Sequence, residues 1–110
     1  MKPFAFVCSP FTNDPKQEKE YCRKLYEYGY LPVSANFLLD PFIDKRKPTE
    51  GKRKLEMALQ LMARCRVLVL CGDIITTEMV CAVDKARQWN MVYTNLQGIK
   101  KIDELLKGRK

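Results

Sequence analysis

Short apolar runs alternate along this chain with longer segments in which apolar residues recur every three or four positions. Phe4 to Ser9 is a continuous run that reads as a buried strand. Asp14-Pro15-Lys16-Gln17 reads as a helix start, with Asp14 as N-cap, Pro15 at the first helical position and Gln17 closing a capping box. Tyr21, Cys22, Leu25 and Tyr28 continue that helix as one stripe, and Gly29 stops it. Leu31 to Ala35 is a second short strand. Asn36 to Pro48 has no period and is interrupted by Pro41, so it reads as a packed loop, long enough to suggest function. Leu55 to Met62 gives a second helix and Val67 to Cys71 a third strand. A third helix follows from about Thr77 to Gln88, then a fourth strand over Met91 to Thr94 and a short terminal helix marked by Ile102, Leu105 and Leu106.

This alternation predicts an α/β class fold, residues 1–110 forming a single domain. The expected architecture is a doubly wound, Rossmann- or flavodoxin-like parallel sheet of about four strands, with helices on both faces. In a strand order of 2-1-3-4 the switch point falls between the first and third strands. The loops after Ser9 and after Cys71 would then flank one crevice.

Composition narrows the chemistry. A chain of 110 residues can bury one modest core. No apolar run approaches the ~18 residues needed to span a bilayer, and the N-terminal run reads as a strand and not a signal peptide. The five cysteines include no C-x-x-C pair, and there is no histidine. Metal binding is therefore not expected, and imidazole cannot serve as a general base. The cysteines read as buried reduced thiols of a cytoplasmic protein. Nothing calls for a cofactor, so catalysis would rest on carboxylates, thiols or backbone.

The net charge of +7 is concentrated in two places. Lys45, Arg46, Lys47, Lys52, Arg53 and Lys54 surround a Pro-Thr-Glu-Gly turn, and Lys100, Lys101, Lys107, Arg109 and Lys110 gather near the C-terminus. Such runs usually form solvated faces, with attraction of a phosphorylated small molecule or of nucleic acid as alternatives. No basic-aromatic alternation, zinc finger or helix-turn-helix pattern supports nucleic acid.

The candidate site follows from the topology. Ser9, Pro10 and Phe11 lie in the loop after the first strand, where backbone N–H groups and hydroxyls could hold an anion, although no glycine-rich fingerprint is present. Gly72, Asp73, Thr76 and Thr77 form the loop after the third strand, with Thr76 or Thr77 as helix cap. Glu78 stands in the first helical turn. The helix dipole, worth ~0.3–1 kcal/mol, explains its carboxylate fully, and a catalytic role is the less favoured alternative on the residues alone.

Several stretches taken together carry a family likeness: C-S-P-F near the N-terminus, E-Y-G-Y-L-P-V-S-A, the P-F-I-D loop, and C-x-x-L-x-L-x-G-D-x-I-T. In this order they resemble the nucleoside 2-deoxyribosyltransferase-like superfamily, in particular a small uncharacterised bacterial and phage branch. The resemblance implies cleavage or transfer at the N-glycosidic bond of a deoxynucleoside or its 5′-monophosphate. It implies Glu78 as the nucleophile, supported by Asp73 and Thr76, with Ser9, Pro10, Phe11, Asn36, Gly72 and Thr77 around the sugar and any phosphate. It also implies an assembly in which neighbouring chains complete each other's sites. An ungapped match instead puts Ala82, one turn after Glu78, at the position of the family glutamate. Three readings therefore stand: a glycosidase or transferase, a nucleotide-binding pseudoenzyme, and an interaction module using the basic face.

Overall fold

A computed structural model describes residues 1–108; Arg109 and Lys110 of the C-terminal basic cluster lie outside the described residues. The apolar runs become four strands: β1 (Phe4–Cys8), β2 (Leu31–Ser34), β3 (Val67–Leu70) and β4 (Val92–Asn95). All neighbours are parallel and the order is β2-β1-β3-β4. This is the doubly wound α/β arrangement expected from the alternation of elements.

Among the described residues five α-helices surround the sheet: α1 (Pro15–Glu27), α2 (Ala35–Leu39), α3 (Thr49–Met62), α4 (Thr77–Gln88) and α5 (Leu96–Lys107). Asp14 starts α1 by accepting a bond from the Lys16 N–H, and Gly29 takes a positive φ of 90° just after its end, where a side chain would be strained. The Asn36–Pro48 stretch differs from the loop that its missing period suggests. Ser34 caps α2 by accepting from the Phe37 N–H, and a 3-10 turn over Asp40–Phe42 follows at Pro41. Both pieces are too short to show a period in sequence. The Pro-Thr-Glu-Gly segment also differs from a turn, because α3 begins at Thr49, well before its apolar residues.

Strand alternation sends side chains to two separate cores. Phe6, Cys8 and Leu68 face Ala58, Met62, Met79, Ala82 and Ala86 on α3 and α4. Ala5, Val7, Val67 and Val69 face Tyr21 and Leu25 of α1 and Ile99 of α5. Leu25, Met62, Leu68 and Ile99 are essentially fully buried, and each stabilises the fold by roughly 1.5–3 kcal/mol. Among the described residues no helix is long and apolar enough to cross a membrane.

Candidate functional site

The crevice lies at the C-terminal end of the sheet, where the β1–α1 loop meets the start of α4. A small cavity of about 20 Å³, room for about one water, is lined by Cys8, Ser9, Phe11, Asn36, Glu78 and Met79 together with apolar residues beneath them. Ala35, Ala58 and Ala82 are part of that lining, and their small side chains are what leave the space. Outside it opens a basin of about 300 Å³ whose wall includes Thr12, Asp40, Lys45, Lys47, Glu50 and Lys54. Phe11 and Glu78 line both spaces.

A buried polar network holds the β1 side of this crevice. Glu18 of α1 is almost completely buried and accepts three hydrogen bonds: from Ser9 Oγ at 2.5 Å, Ser34 Oγ at 2.5 Å and Asn13 Nδ2 at 2.9 Å. Asn36 Nδ2 donates to the Pro10 carbonyl at 3.0 Å and to Ser9 Oγ at 3.3 Å. Lys54, also buried, donates to Asn36 Oδ1 and Asp40 Oδ1 at 2.7 Å each and to the Phe11 carbonyl at 3.3 Å. Its ammonium lies 4.3 Å from the Phe11 ring centroid, a cation–π contact. No buried side-chain nitrogen or oxygen among the described residues lacks a partner, as a buried network requires.

Neither Glu18 nor Lys54 stands out as a site residue in the sequence, yet a signal is there. Glu18 falls on the stripe that continues through Tyr21 and Leu25, and Lys54 heads the buried stripe of Ala58 and Met62. A charge on the inward stripe of a helix requires internal partners. Lys54 therefore leaves the solvated basic face to which its neighbours Lys52 and Arg53 belong.

On the other side of the crevice, Thr76 caps α4 by accepting from the Met79 N–H at 3.3 Å, which fixes where Glu78 begins its turn. Glu78 is the only carboxylate lining the inner cavity among the described residues. Ala82 lines the same cavity one turn deeper, inside the apolar core. Gly72 has a φ of 87°, and a Cβ there would stand 2.7 Å from the Tyr21 hydroxyl, so it faces the α1 side. Asp73 and Thr77 are exposed and line neither space. The structure thus brings together Ser9, Phe11, Asn36 and Glu78, with Pro10 contributing its carbonyl. It keeps Gly72, Asp73 and Thr77 at the periphery.

Cys8 also lines the cavity. Burial pushes its thiol up to about 12, helped by the nearby Glu18 carboxylate, so it stays protonated and unreactive at neutral pH. Burial raises Cys71 still further in the same direction, and brings Cys22 and Cys65 up to about 11. These are packing thiols. Among the described residues no group of histidine, cysteine or acidic side chains could hold a metal ion. With thiolate chemistry removed, the reactive side chain left in the inner cavity is Glu78.

Residues 3–96 match the family described as a domain of unknown function (DUF7768), and the chain belongs to that family. No curated protein matches the chain. The match spans all four strands and ends at the first residue of α5, so the crevice lies inside the shared domain.

Proposed function

We propose that this domain acts on the N-glycosidic bond of a deoxynucleoside or deoxynucleotide, with Glu78 as the nucleophile. One observation carries the reading. Glu78 stands where the small inner cavity meets the outer basin, and among the described residues it is the one carboxylate in the inner wall. A basin of about 300 Å³ is at the lower end of small-molecule sites and suits a ligand of nucleoside size.

In this mechanism the Glu78 carboxylate attacks the anomeric carbon as the C–N bond to the base breaks. The bonding pair leaves with the base, which takes up a proton from solvent. The deoxyribosyl ester on Glu78 is then opened at the same carbon by water or by a second base, which gives its proton to solvent as the carboxylate is restored. Thr76 serves by fixing the helix start, and Phe11, tethered by Lys54, forms a wall against which the ligand is oriented. Asp73 serves as a supporting charge in the exposed loop and takes no bond-making step.

A second reading, binding of a nucleotide without turnover, is favoured by a different observation. A glycosyl transfer through a covalent intermediate ordinarily uses a second carboxylate as acid, and the acids of the outer basin are engaged: Asp40 by Lys54 at 2.7 Å and Glu50 by Arg53 at 3.7 Å. Incubation with deoxynucleosides and their monophosphates, followed by chromatography for free base, separates the two. The enzyme reading expects release that Glu78→Gln lowers by at least ~100-fold. Equal slow release from both proteins eliminates it.

A further inference from the structure

The hydrogen-bond accounting of the inner cavity fixes the polarity of what can enter it. The Ser9 proton is committed to Glu18 at 2.5 Å, and one Ser9 lone pair already accepts from Asn36. Both N–H bonds of the Asn36 amide are committed, to Ser9 and to the Pro10 carbonyl. What these side chains still offer is one lone pair on Ser9, one on Asn36 Oδ1, and the Glu78 carboxylate. All of these are acceptors. An anion placed here would meet no side-chain O–H or N–H donor, only the weak Cys8 S–H, and would lie near the negative charges of Glu18 and Glu78. A hydroxyl would find acceptors waiting.

The outer basin has the opposite character. Lys54 has spent its three protons on Asn36, Asp40 and Phe11, so it has nothing to give a ligand. Asp40 is held by Lys54, and Glu50 by Arg53. The charges of the basin wall without an ion pair among the described residues are therefore Lys45, Lys47 and Glu78. Glu78 sits at the junction with the inner cavity, which leaves two free cations for the outer part.

We infer that the two spaces together take one bipolar ligand, a sugar phosphate whose hydroxyl donates toward Ser9 and Glu78 and whose phosphate sits at Lys45 and Lys47. This rests on the nucleotide reading of the site and deepens it: the substrate class is the 5′-phosphorylated one, and the Ser9 loop receives the sugar hydroxyl instead of the phosphate. The loop at Ser9 is the usual place to look for an anion in such a fold. Here the buried Glu18 behind it turns the hydroxyl from donor to acceptor and reverses that assignment.

Calorimetric titration with four small ligands tests the inference without requiring turnover: 2-deoxyribose 5-phosphate, tetrahydrofurfuryl phosphate (the ring phosphate without hydroxyls), 2-deoxyribose, and inorganic phosphate. The sugar phosphate is expected to bind at least about tenfold tighter than each of the other three, the scale of one charge-assisted hydrogen bond. The double variant Lys45→Ala/Lys47→Ala is expected to reduce it to the affinity of free deoxyribose. Lys52→Ala, in the same basic run but outside the basin wall, should leave it unchanged. Equal affinity for tetrahydrofurfuryl phosphate and the sugar phosphate overturns the hydroxyl assignment. An unaffected double variant, or an equal loss with Lys52→Ala, overturns the phosphate assignment. Base release and this titration fail separately: a protein that binds the sugar phosphate as described but releases no base keeps the ligand and loses only the chemistry.

Discussion

The two banks of the crevice are built in opposite ways. On the β1–β2 bank, Ser9, Glu18, Ser34, Asn36 and Lys54 are all buried and joined by hydrogen bonds that leave no partner wanting. On the β3–α4 bank, Asp73 is exposed, Ile74 and Ile75 are 68% and 56% exposed, and a single side-chain cap at Thr76 organises the entry to α4. The first bank is rigid because each charge there has been taken out of water and is held only by its neighbours. The second carries the one carboxylate that the described residues give the inner wall, and the loop before it is anchored lightly. The difference teaches that buried charge here builds the mould, while the carboxylate of the inner wall sits where the inner cavity meets the outer basin.

The sharpest way to break this contrast is to remove the centre of the rigid bank. Glu18→Leu leaves Ser9, Ser34 and Asn13 without their acceptor and should destabilise the protein by about 3 kcal/mol or more, measured by urea unfolding. A change below about 1 kcal/mol would mean the network is ornamental. Lys54→Met keeps the length of the side chain but strands Asp40 and Asn36. Because Asp40 is partly exposed, the expected cost is smaller, about 2 kcal/mol.

On the looser bank the exception is Gly72, held at a positive φ against Tyr21. Gly72→Ala should cost about 1–2 kcal/mol, because an L-residue is strained there whatever room the tyrosine makes. Glu78→Gln removes only a helix-end charge from the folded state and should shift stability by less than ~1 kcal/mol. Any large loss of base release in that variant would therefore reflect chemistry and not unfolding. Smallest of all, Ile74→Ser or Ile75→Ser should change stability by less than ~0.5 kcal/mol in thermal unfolding. A large effect from either would show that the β3–α4 loop is held more firmly than its exposure implies.

Much of the architecture was legible from residues. The runs at Phe4 and Val67, the Asp14-Pro15 start, the Gly29 stop and the Thr76 cap each act through their immediate neighbours, so local chemistry sufficed to read them. The short α2 and the early start of α3 were not legible, because five residues show no period and the first turns of α3 bury almost nothing. The site divided along the same line. Ser9, Phe11 and Glu78 could be named from their places after the first and third strands and Asn36 from the family resemblance, whereas Glu18 and Lys54 lie in charged helical stretches that look solvated. Only the inward stripe on which each lies distinguished them.

By itself the sequence determined the class of fold, the strand order and the ends of the sheet at which the crevice forms, since periodicity and caps are properties of neighbouring residues. Tertiary structure alone decided what the crevice is made of. Ser34 lies 16 residues from Glu18 and Phe11 lies 43 from Lys54, and the hydrogen bonds between them exist only after the sheet has closed. That closure commits the Ser9 proton and leaves its hydroxyl an acceptor, a property no spacing of residues could display.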